Sequence, residues 1–386
     1  ANGSATKLYY TLEFSTMTAA TISATASGST FSDSGDGFID DGQFAVGHII
    51  EVSGFATAAN NGKFKIATVA DGAMTVTDVN GGAVTLVNEA AGETVTISQD
   101  GGIPANPEFK PVRFVTQGLT PNVNQIESAE MNPSRQRPPS RGGTYSVAGE
   151  IAAEVSFGSF SDLIEAALQG AWASNELIVG STERSFAFLE RHTDINVDYI
   201  YRGCKVGTMA ISAPLGDKAG ITFNILGKGA AKYTVPAGAT FAAATTTDMM
   251  VTTNGSFTEG GTAIAYATEW SGTIDNGMEA SFALFSREAY CISNGVATVS
   301  GSMSAYLKDE VLWGKVLDEA ETSHVIVLQE GSDSYTIEVP KVRYVQGQKQ
   351  DGLRGVRNSS SKTTKPERLT PLGLFCARRK AVQQAG

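Results

Sequence analysis

The chain has 386 residues, and its 29 Lys and Arg against 40 Asp and Glu give a formal charge of −11. That length suggests two or three domains, each able to bury a core. The negative balance repels nucleic acid on average, leaving room only for a local basic patch.

Only 8% of residues are aromatic, while glycine occurs 42 times. With abundant Thr, Ser, Ala and Val, this predicts many short strands joined by tight turns. Lys7–Phe14 (KLYYTLEF) alternates roughly and has no local partner, so 1–17 is read as an N-terminal strand joining a sheet built by distant residues. Residues 18–105 read as a small all-β, barrel-like module. Its expected strands are His48–Ser53, Lys63–Val69, Met74–Val79, Ala83–Val87 and Thr94–Ser98, with turn signals at Asn60-Asn61-Gly62 and Asp71-Gly72. Pro104, Pro107 and Pro111 mark the way out.

A larger unit follows over 106–227. Val147, Gly149, Ile151, Ala153 and Val155 share one strand face, and Ser146, Ala148, Glu150, Ala152, Glu154 and Ser156 the other. That alternation predicts a sheet with one buried and one wet face. Gln125 and Glu127 extend the wet face on the preceding strand. The loop Pro133–Gly143 carries Arg135, Arg137 and Arg141; it reads either as a solvated hairpin tip or as a contact with an acidic partner surface. Phe160, Leu163, Ile164, Ala167, Leu168 and Ala171 keep a 3.6 period, with Ser159 as the expected N-cap. Further strands are expected at Ser185–Glu190, Ile195–Tyr201, Lys205–Ser212 and Gly220–Leu226.

Residues 228–260 read as a linker, and 261–347 as a second copy of the unit. Phe114 and Tyr266, Thr116 and Thr268, Asn124 and Asn276, Glu127 and Glu279, Val147 and Val299, and Gly149 and Gly301 all stand 152 residues apart. A period this long predicts a duplicated domain, not a solenoid. In the second copy Val299, Gly301, Met303 and Ala305 form the apolar face, and Ser300, Ser302 and Ser304 the wet one. Trp313, Val316, Leu317 and Ala320 mark its helix. Phe188-Leu189-Glu190 aligns with Val327-Leu328-Gln329. The basic stretch 348–386 reads as a solubilising tail or as an arm reaching a neighbouring subunit.

The histidines, His48, His192 and His324, lack metal spacing, so no metal site is expected. Asp33, Asp36, Asp40 and Asp41 form a Gly-rich loop, but an EF-hand needs oxygen ligands where Gly35 and Gly37 stand, so a solvated turn is preferred. Ile225-Leu226-Gly227-Lys228-Gly229 lacks the third glycine of a nucleotide loop. Glu150 and Glu154 could mimic a glycosidase pair, but their spacing suits a hydrated sheet face. Cys204, Cys291 and Cys376 form no CxxC pair, and a reducing site of synthesis is expected. No secretion signal and no membrane span is expected. No catalytic residue and no cofactor is assigned.

The segment FVTQGLTPNVNQIESAEMNPSRQRPPSRGGTYSVAGEIAAEVSFGSFSDLIEAALQGAW (114–172), followed by SFAFLERHTDINVDYIYRGCKVGTMAIS (185–212), resembles the major tail tube protein of long, non-contractile tailed bacteriophages. GHIIEVSGFATAANNGKFKIATV (47–69) resembles small β modules within tail proteins. The resemblance implies a mainly β chain: two tandem tail-tube-like β-sandwich or barrel folds, each flanked by a short α-helix, plus the small β insert. It implies a structural virion protein whose rings stack into a tube for DNA ejection. The duplication then suggests trimers with pseudo-sixfold symmetry. Expected partners are further copies of the chain, a tape measure protein and passing DNA in the lumen, and terminator and tail-tip proteins at the ends. Synthesis in the host cytoplasm is expected. Gln125, Glu127, Glu150, Glu154, Glu279, Ser300, Ser302 and Ser304 are the expected lumen-facing residues, and Arg135, Arg137 and Arg141 the ring-stacking loop. The competing readings are a tail-tip or adhesin-type binding protein and, more remotely, a β-rich hydrolase.

Overall fold

Alternation of apolar and polar residues governs the computed structural model, which describes residues 6–13, 16–39, 42, 44–99, 102–129, 139–306, 311–349, 356–362 and 376–380. The chain opens with β1 (Thr6–Leu12), β2 (Thr16–Ala19), β3 (Ile22–Thr25), β4 (Thr30–Asp33), β5 (Ile49–Ser53), β6 (Gly62–Ala70), β7 (Ala73–Thr77) and β8 (Val95–Gln99). It continues with β9 (Glu108–Pro111), β10 (Thr116–Gln117), β11 (Thr120–Ile126), β12 (Arg141–Glu154), α1 (Ser161–Leu168), β13 (Glu176–Ile178), β14 (Phe186–His192), β15 (Val197–Pro214), β16 (Gly220–Gly227), β17 (Gly229–Tyr233) and β18 (Thr240–Phe241). The last part holds β19 (Gly255–Glu259), β20 (Thr262–Ala263), β21 (Ala267–Asp275), β22 (Glu279–Ser281), β23 (Cys291–Ser293), β24 (Thr298–Tyr306), α2 (Val311–Leu317), β25 (Glu321–Glu330), β26 (Asp333–Lys349), β27 (Val356–Lys362) and β28 (Cys376–Lys380).

Two compact units result. The first takes Ala1–Val112, Arg184–Cys204 and Gly227–Ala243. It contains the small module, a seven-stranded antiparallel sheet of order β2-β8-β5-β6-β7-β4-β3. Phe31, Phe38, Phe44, Ile50, Ile66 and Ile97 fill its core. The Asp71-Gly72 turn joins β6 to β7 as expected. Ala83–Val87 is not a strand: Leu86 is buried, and Val87 N–H donates to the Asn60 side chain at 2.8 Å. A hydrophobic run can fill a core without entering a ladder. In the acidic loop Asp33 accepts the N–H groups of Gly35 and Gly37, which makes it a turn former; Asp40 and Asp41 lie outside the described residues.

The N-terminal strand finds distant partners, as its isolation predicts. β1 pairs with β14 along Thr6↔His192 to Leu12↔Phe186, and with β9. β14 continues to β15, and β15 to β17. Glu13, 1% exposed, accepts the Gly203 N–H at 3.0 Å, and burial raises its carboxyl above the usual range.

The second unit takes Arg113–Glu183, Lys205–Leu226 and Ala244–Gly386. Its helix α1 starts later than the sequence suggests. Phe160 occupies the N-cap without a side-chain cap bond, while Ser159 Oγ is shared with Ser156 Oγ at 2.7 Å and with Thr245 Oγ1. The helix ends before Ala171, with Gln169 in the left-handed region at φ 51°. Ser156, expected on the wet face, is 1% exposed, because the strand has ended and the chain is turning into the helix.

The stretch 228–260 is not a bare linker, since it supplies β17, β18 and β19. Nor is the basic C-terminus only a tail. β26 runs to Lys349, β27 pairs with both β24 and β26, and β28 pairs with β26 and β13. Segments such as Val356–Lys362 (VRNSSSK) carry so little apolar pattern that only their long-range pairing makes them strands.

Backbone pairing matches strand for strand between two parts of the chain. Val112 N–H donates to Leu8 O beside the β1–β9 pairs Tyr9↔Pro111 and Tyr10↔Lys110; Ile264 N–H donates to Phe257 O beside the β19–β20 pairs Thr258↔Ala263 and Glu259↔Thr262. A register shift lies between Phe186 and Phe188 in β14–β15, and between Thr322 and His324 in β25–β26. Another lies between Val206 and Thr208 in β15–β16, and between Tyr344 and Gln346 in β26–β27. On β12, Val115 and Thr116 share Ala152; on β24, a shift between Ala267 and Glu269 falls at Ser304 and Ala305. Such bulges are local, heritable marks of register.

These marks correct two sequence alignments. Val115 and Thr116 correspond to Thr268 and Glu269, so the uniform 152-residue spacing that holds for Gly149 and Gly301 slips by one at β10, β11 and β21. Phe188 corresponds to His324 and not to Val327, because the β25–β26 hairpin is two pairs longer than the β14–β15 hairpin.

Corresponding positions also differ chemically. Tyr10, Phe186 and Phe188 are buried aromatic residues in the first set. The second set has Glu259, Thr322 and His324 there, all buried. Lys315 from α2 reaches Glu259 at 2.7 Å, and Thr322 Oγ1 donates to the same carboxylate at 2.6 Å. Trp270 Nε1–H donates to His324 Nδ1 at 3.4 Å, and His324 Nε2 contacts Tyr344 OH at 2.8 Å. If Nδ1 accepts, Nε2 carries the proton and donates to the Tyr344 oxygen, leaving that hydroxyl to point at Glu259, 3.4 Å away. Burial lowers His324 to about 4 and raises Tyr344.

Candidate functional site

Eight strands of the second unit form one continuous antiparallel sheet. Its order is β11-β12-β16-β15-β21-β24-β27-β26, with β10 prolonging the β11 edge. β15 enters it through Lys205–Pro214 and β26 through Tyr344–Lys349.

The two faces differ sharply. Val147, Ile151, Met209, Ile211, Ile221, Phe223, Trp270, Ile274, Val299 and Met303 are buried on one side. On the other, Glu150, Thr208, Ser212, Thr222, Asn224, Glu269, Ser271, Thr273, Asp275, Ser300 and Ser302 are exposed or half-exposed. Hydroxyls and amides bond across the strands: Asn224 Nδ2–H donates to Thr208 Oγ1 at 2.7 Å, and Ser271 Oγ meets Ser302 Oγ at 2.8 Å. Glu150, Glu154, Glu269 and Asp275 bring negative charge to this face. Among the cations near its ends, Lys218 pairs with Glu154 and Lys205 with Glu183, while β27 brings Lys362 to the position opposite Ser300. The Glu154 carboxylate, through its hydrogen bond and its charge, raises Lys218.

Close backbone approach explains the repeated V-x-G motif. A Cβ on Gly149 would lie 2.3 Å from Gly118 O, and one on Gly301 would lie 2.5 Å from Ser271 O. Both glycines let the neighbouring strand cross at the same place in the pattern.

Of the residues singled out in the sequence, Glu150, Glu154, Ser300, Ser302 and Ser304 come together on the polar face. Gln125 lies on β11 opposite Gly142, and accepts a hydrogen bond from Ser140 at 3.0 Å. Glu127 is exposed just past β11. Glu279 does not join them: it starts β22, which pairs with β23 in a separate two-stranded ribbon. Arg141 is exposed at the start of β12, opposite Ile126, whereas Arg135 and Arg137 lie outside the described residues. Sequence reasoning missed Thr208, Thr222, Asn224, Glu269, Ser271, Thr273 and Asp275. The alternation of Ala267–Asp275 (ATEWSGTID), buried at Trp270, Gly272 and Ile274, carries the signal that would have found the last four.

The β22–β23 ribbon presents exposed apolar residues, Leu284 at 87% and Phe285 at 106%. The loop that joins the two strands is anchored where Tyr145 N–H donates to Arg287 O at 2.7 Å and Tyr145 OH donates to Glu288 at 2.8 Å.

No described helix is long and apolar enough to cross a membrane. A family model for "Phage tail tube protein" matches residues 80–362. No curated protein matches the chain.

Proposed function

The chain belongs to the phage tail tube protein family, a structural component of the virion tail, and from that premise we propose that it polymerises into rings which stack into the conduit for DNA ejection. The observation that carries this reading is the eight-stranded sheet, buried on one face and polar on the other, whose strands repeat in two sets of four. Its first set is β11-β12-β16-β15 and its second β21-β24-β27-β26. Two sets per chain support a ring of three chains with pseudo-sixfold symmetry. Eight strands from each of three chains would close a barrel roughly 45–50 Å across at the backbone, taking about 4.8 Å per strand and a tilt of about 40°. That leaves a wide aqueous lumen.

The polar face lines that lumen. Gln125, Glu150, Glu154, Ser300, Ser302 and Ser304 face it, joined by Thr208, Glu269, Ser271 and Asp275. A wall in which carboxylates and hydroxyls outnumber the cations, Lys362 opposite Ser300 being one, gives phosphates few places to exchange counterions, so DNA slides without being held. Tape measure protein occupies the same lumen before ejection, and terminator and tail-tip proteins cap the ends. The tube is of the long, non-contractile type, and the chain is made in the host cytoplasm. Ring stacking uses the Arg141 loop and the apolar ribbon tip at Leu284 and Phe285. The small module, with its own core, is inserted between β1 and β9, where the second set has only the short β19–β20 turn, and it decorates the tube's outside.

Electron microscopy of the purified protein tests the reading. Rings or tubes with threefold symmetry of whole chains are expected; a small particle that never polymerises would reject the tube, and six whole chains per ring would reject the trimer. Two further outcomes are expected. Replacing residues 15–105 by a short turn leaves tube formation intact in the same images. Glu150→Lys with Glu269→Lys makes tubes retain duplex DNA in a filter or mobility assay, with retention lost steeply between about 50 and 200 mM salt.

A further inference from the structure

The eight-stranded sheet contains one joint between its two sets of strands, and it ends in two edges of the kinds that make that joint. At the joint, β15 pairs with β21 from Thr208↔Asp275 to Pro214↔Glu269, and Asn276 N–H donates to Gly207 O at 2.9 Å. β15 is the last strand of the first set, and β21 the first strand of the second. The free edges are β11, which is the counterpart of β21, and the Tyr344–Lys349 half of β26, which is the counterpart of the Lys205–Pro214 half of β15. Among the described residues, β11 pairs only with β12, and Gln346–Lys349 only with β27. All seven residues of β11 are exposed.

We infer that β11 of one chain pairs antiparallel with the end of β26 of a second copy, in the register that the internal joint prescribes. This rests on the tube reading and fixes its subunit contact. The matched bulges carry the register across. The shift at Val206/Thr208 equals that at Tyr344/Gln346, so Gly207 and Thr208 map to Val345 and Gln346. The bulge at Val115/Thr116 equals that at Thr268/Glu269, so Asp275 and Asn276 map to Asn122 and Val123. Asn122 therefore stands opposite Gln346, Val123 opposite Val345, and Pro121 opposite Gly347.

Three observations fit this contact. Val123 and Val345 are 46% and 54% exposed in the single chain, and pairing would place these two β-branched residues face to face. The Asn276–Gly207 bond makes the Val123/Val345 and Pro121/Gly347 pairs the hydrogen-bonding ones. Pro121 then has its missing N–H on the outer side of the edge, where its carbonyl still accepts from Gly347; a proline there limits wrong edge pairing and leaves this contact one bond short. The contact is head-to-tail, so it closes a ring by rotation and is not a two-fold dimer contact.

A disulfide trap reads the register. Asn122 and Gln346 form a non-hydrogen-bonded pair, whose Cα atoms lie about 4.5 Å apart, within reach of a disulfide. The full chain carrying Asn122→Cys and Gln346→Cys is assembled, checked for tubes by electron microscopy, oxidised with diamide and run without reductant. Covalent species up to three chains are expected, with neither single variant cross-linking above the background of the native cysteines. A slipped pair, Thr120→Cys with Gln346→Cys, should cross-link at least tenfold less. Tubes that form but cross-link only through the slipped pair, or through neither, overturn the register while leaving the tube reading intact. Failure of the unmodified chain to form rings or tubes overturns both.

Discussion

Gly149→Ala and Gly301→Ala are each expected to destabilise the chain by about 3 kcal/mol, at the upper end of the cost of overpacking a tight site. The reason is what the added methyl group meets. At Gly149 it would press on Gly118 O at 2.3 Å and Leu119 Cα at 2.6 Å; at Gly301 it would press on Ser271 O at 2.5 Å. Backbone of a paired strand cannot rotate away as a side chain can, so the strand must shift and its ladder must loosen. Gly118→Ala is the control, since its methyl group would find nothing nearer than 3.8 Å and should change stability by less than about 0.5 kcal/mol. Urea unfolding followed by tryptophan fluorescence separates the cases. Equal effects at Gly118 and Gly149 would mean that glycine flexibility, and not close strand approach, explains the motif.

The polar cluster around Glu259 should make stability depend on pH. Burial holds the His324 pKa at about 4 in the folded chain, against an ordinary 6.5. Between those values the unfolded chain binds the proton that the folded chain refuses, so stability rises with pH across that window. The contribution is complete above about pH 6.5 and is lost as the pH falls towards 4. At about 1.4 kcal/mol per pH unit, the swing is about 3 kcal/mol. His324→Phe, which restores the residue type of Phe188, should remove this slope. It should also cost about 1–3 kcal/mol at pH 7, because Trp270 N–H loses its acceptor. Lys315→Met should be worse, about 3–5 kcal/mol at pH 7, since it leaves the Glu259 carboxylate buried without its ion-pair partner. Chemical unfolding at a series of pH values between 4 and 7 gives both results. A His324→Phe chain that keeps the wild-type slope would place the titration on another group.

Much of the fold could be read from local pattern, and the failures have physical causes. β12 and β24 alternate cleanly because one face is buried and the other wet, so Val147 to Val155 and Val299 to Ala305 announce their sheet. β1 was legible through its isolation: a strand with no neighbour in sequence must find one far away. β27 and β28 were not legible, because VRNSSSK and CARRK gain their structure from pairing with β24, β26 and β13 and carry little apolar alternation of their own. Repeat spacing was legible only where no insertion intervenes. It holds from Val147 to Val299 but fails at β10, β11 and β14, since hairpins change length without disturbing the ladders that flank them. The polar face was half visible. Serines 300 to 304 stood out, while Glu269 and Asp275 were passed over although their strand alternates cleanly about Trp270, Gly272 and Ile274.

The covalent link between β16 and β21 has a consequence for how fast and how faithfully a ring can form. It makes one of every two joints an intramolecular event, governed by an effective concentration set by the tether and not by the concentration of chains. Assembling a three-chain ring then needs two encounters between molecules, the last joint closing within the assembled trimer, where six unlinked copies would need five. The dependence of assembly rate on protein concentration is correspondingly shallower. Each free chain also offers a single edge of each kind, so the order of strands around the ring is set before any two chains meet.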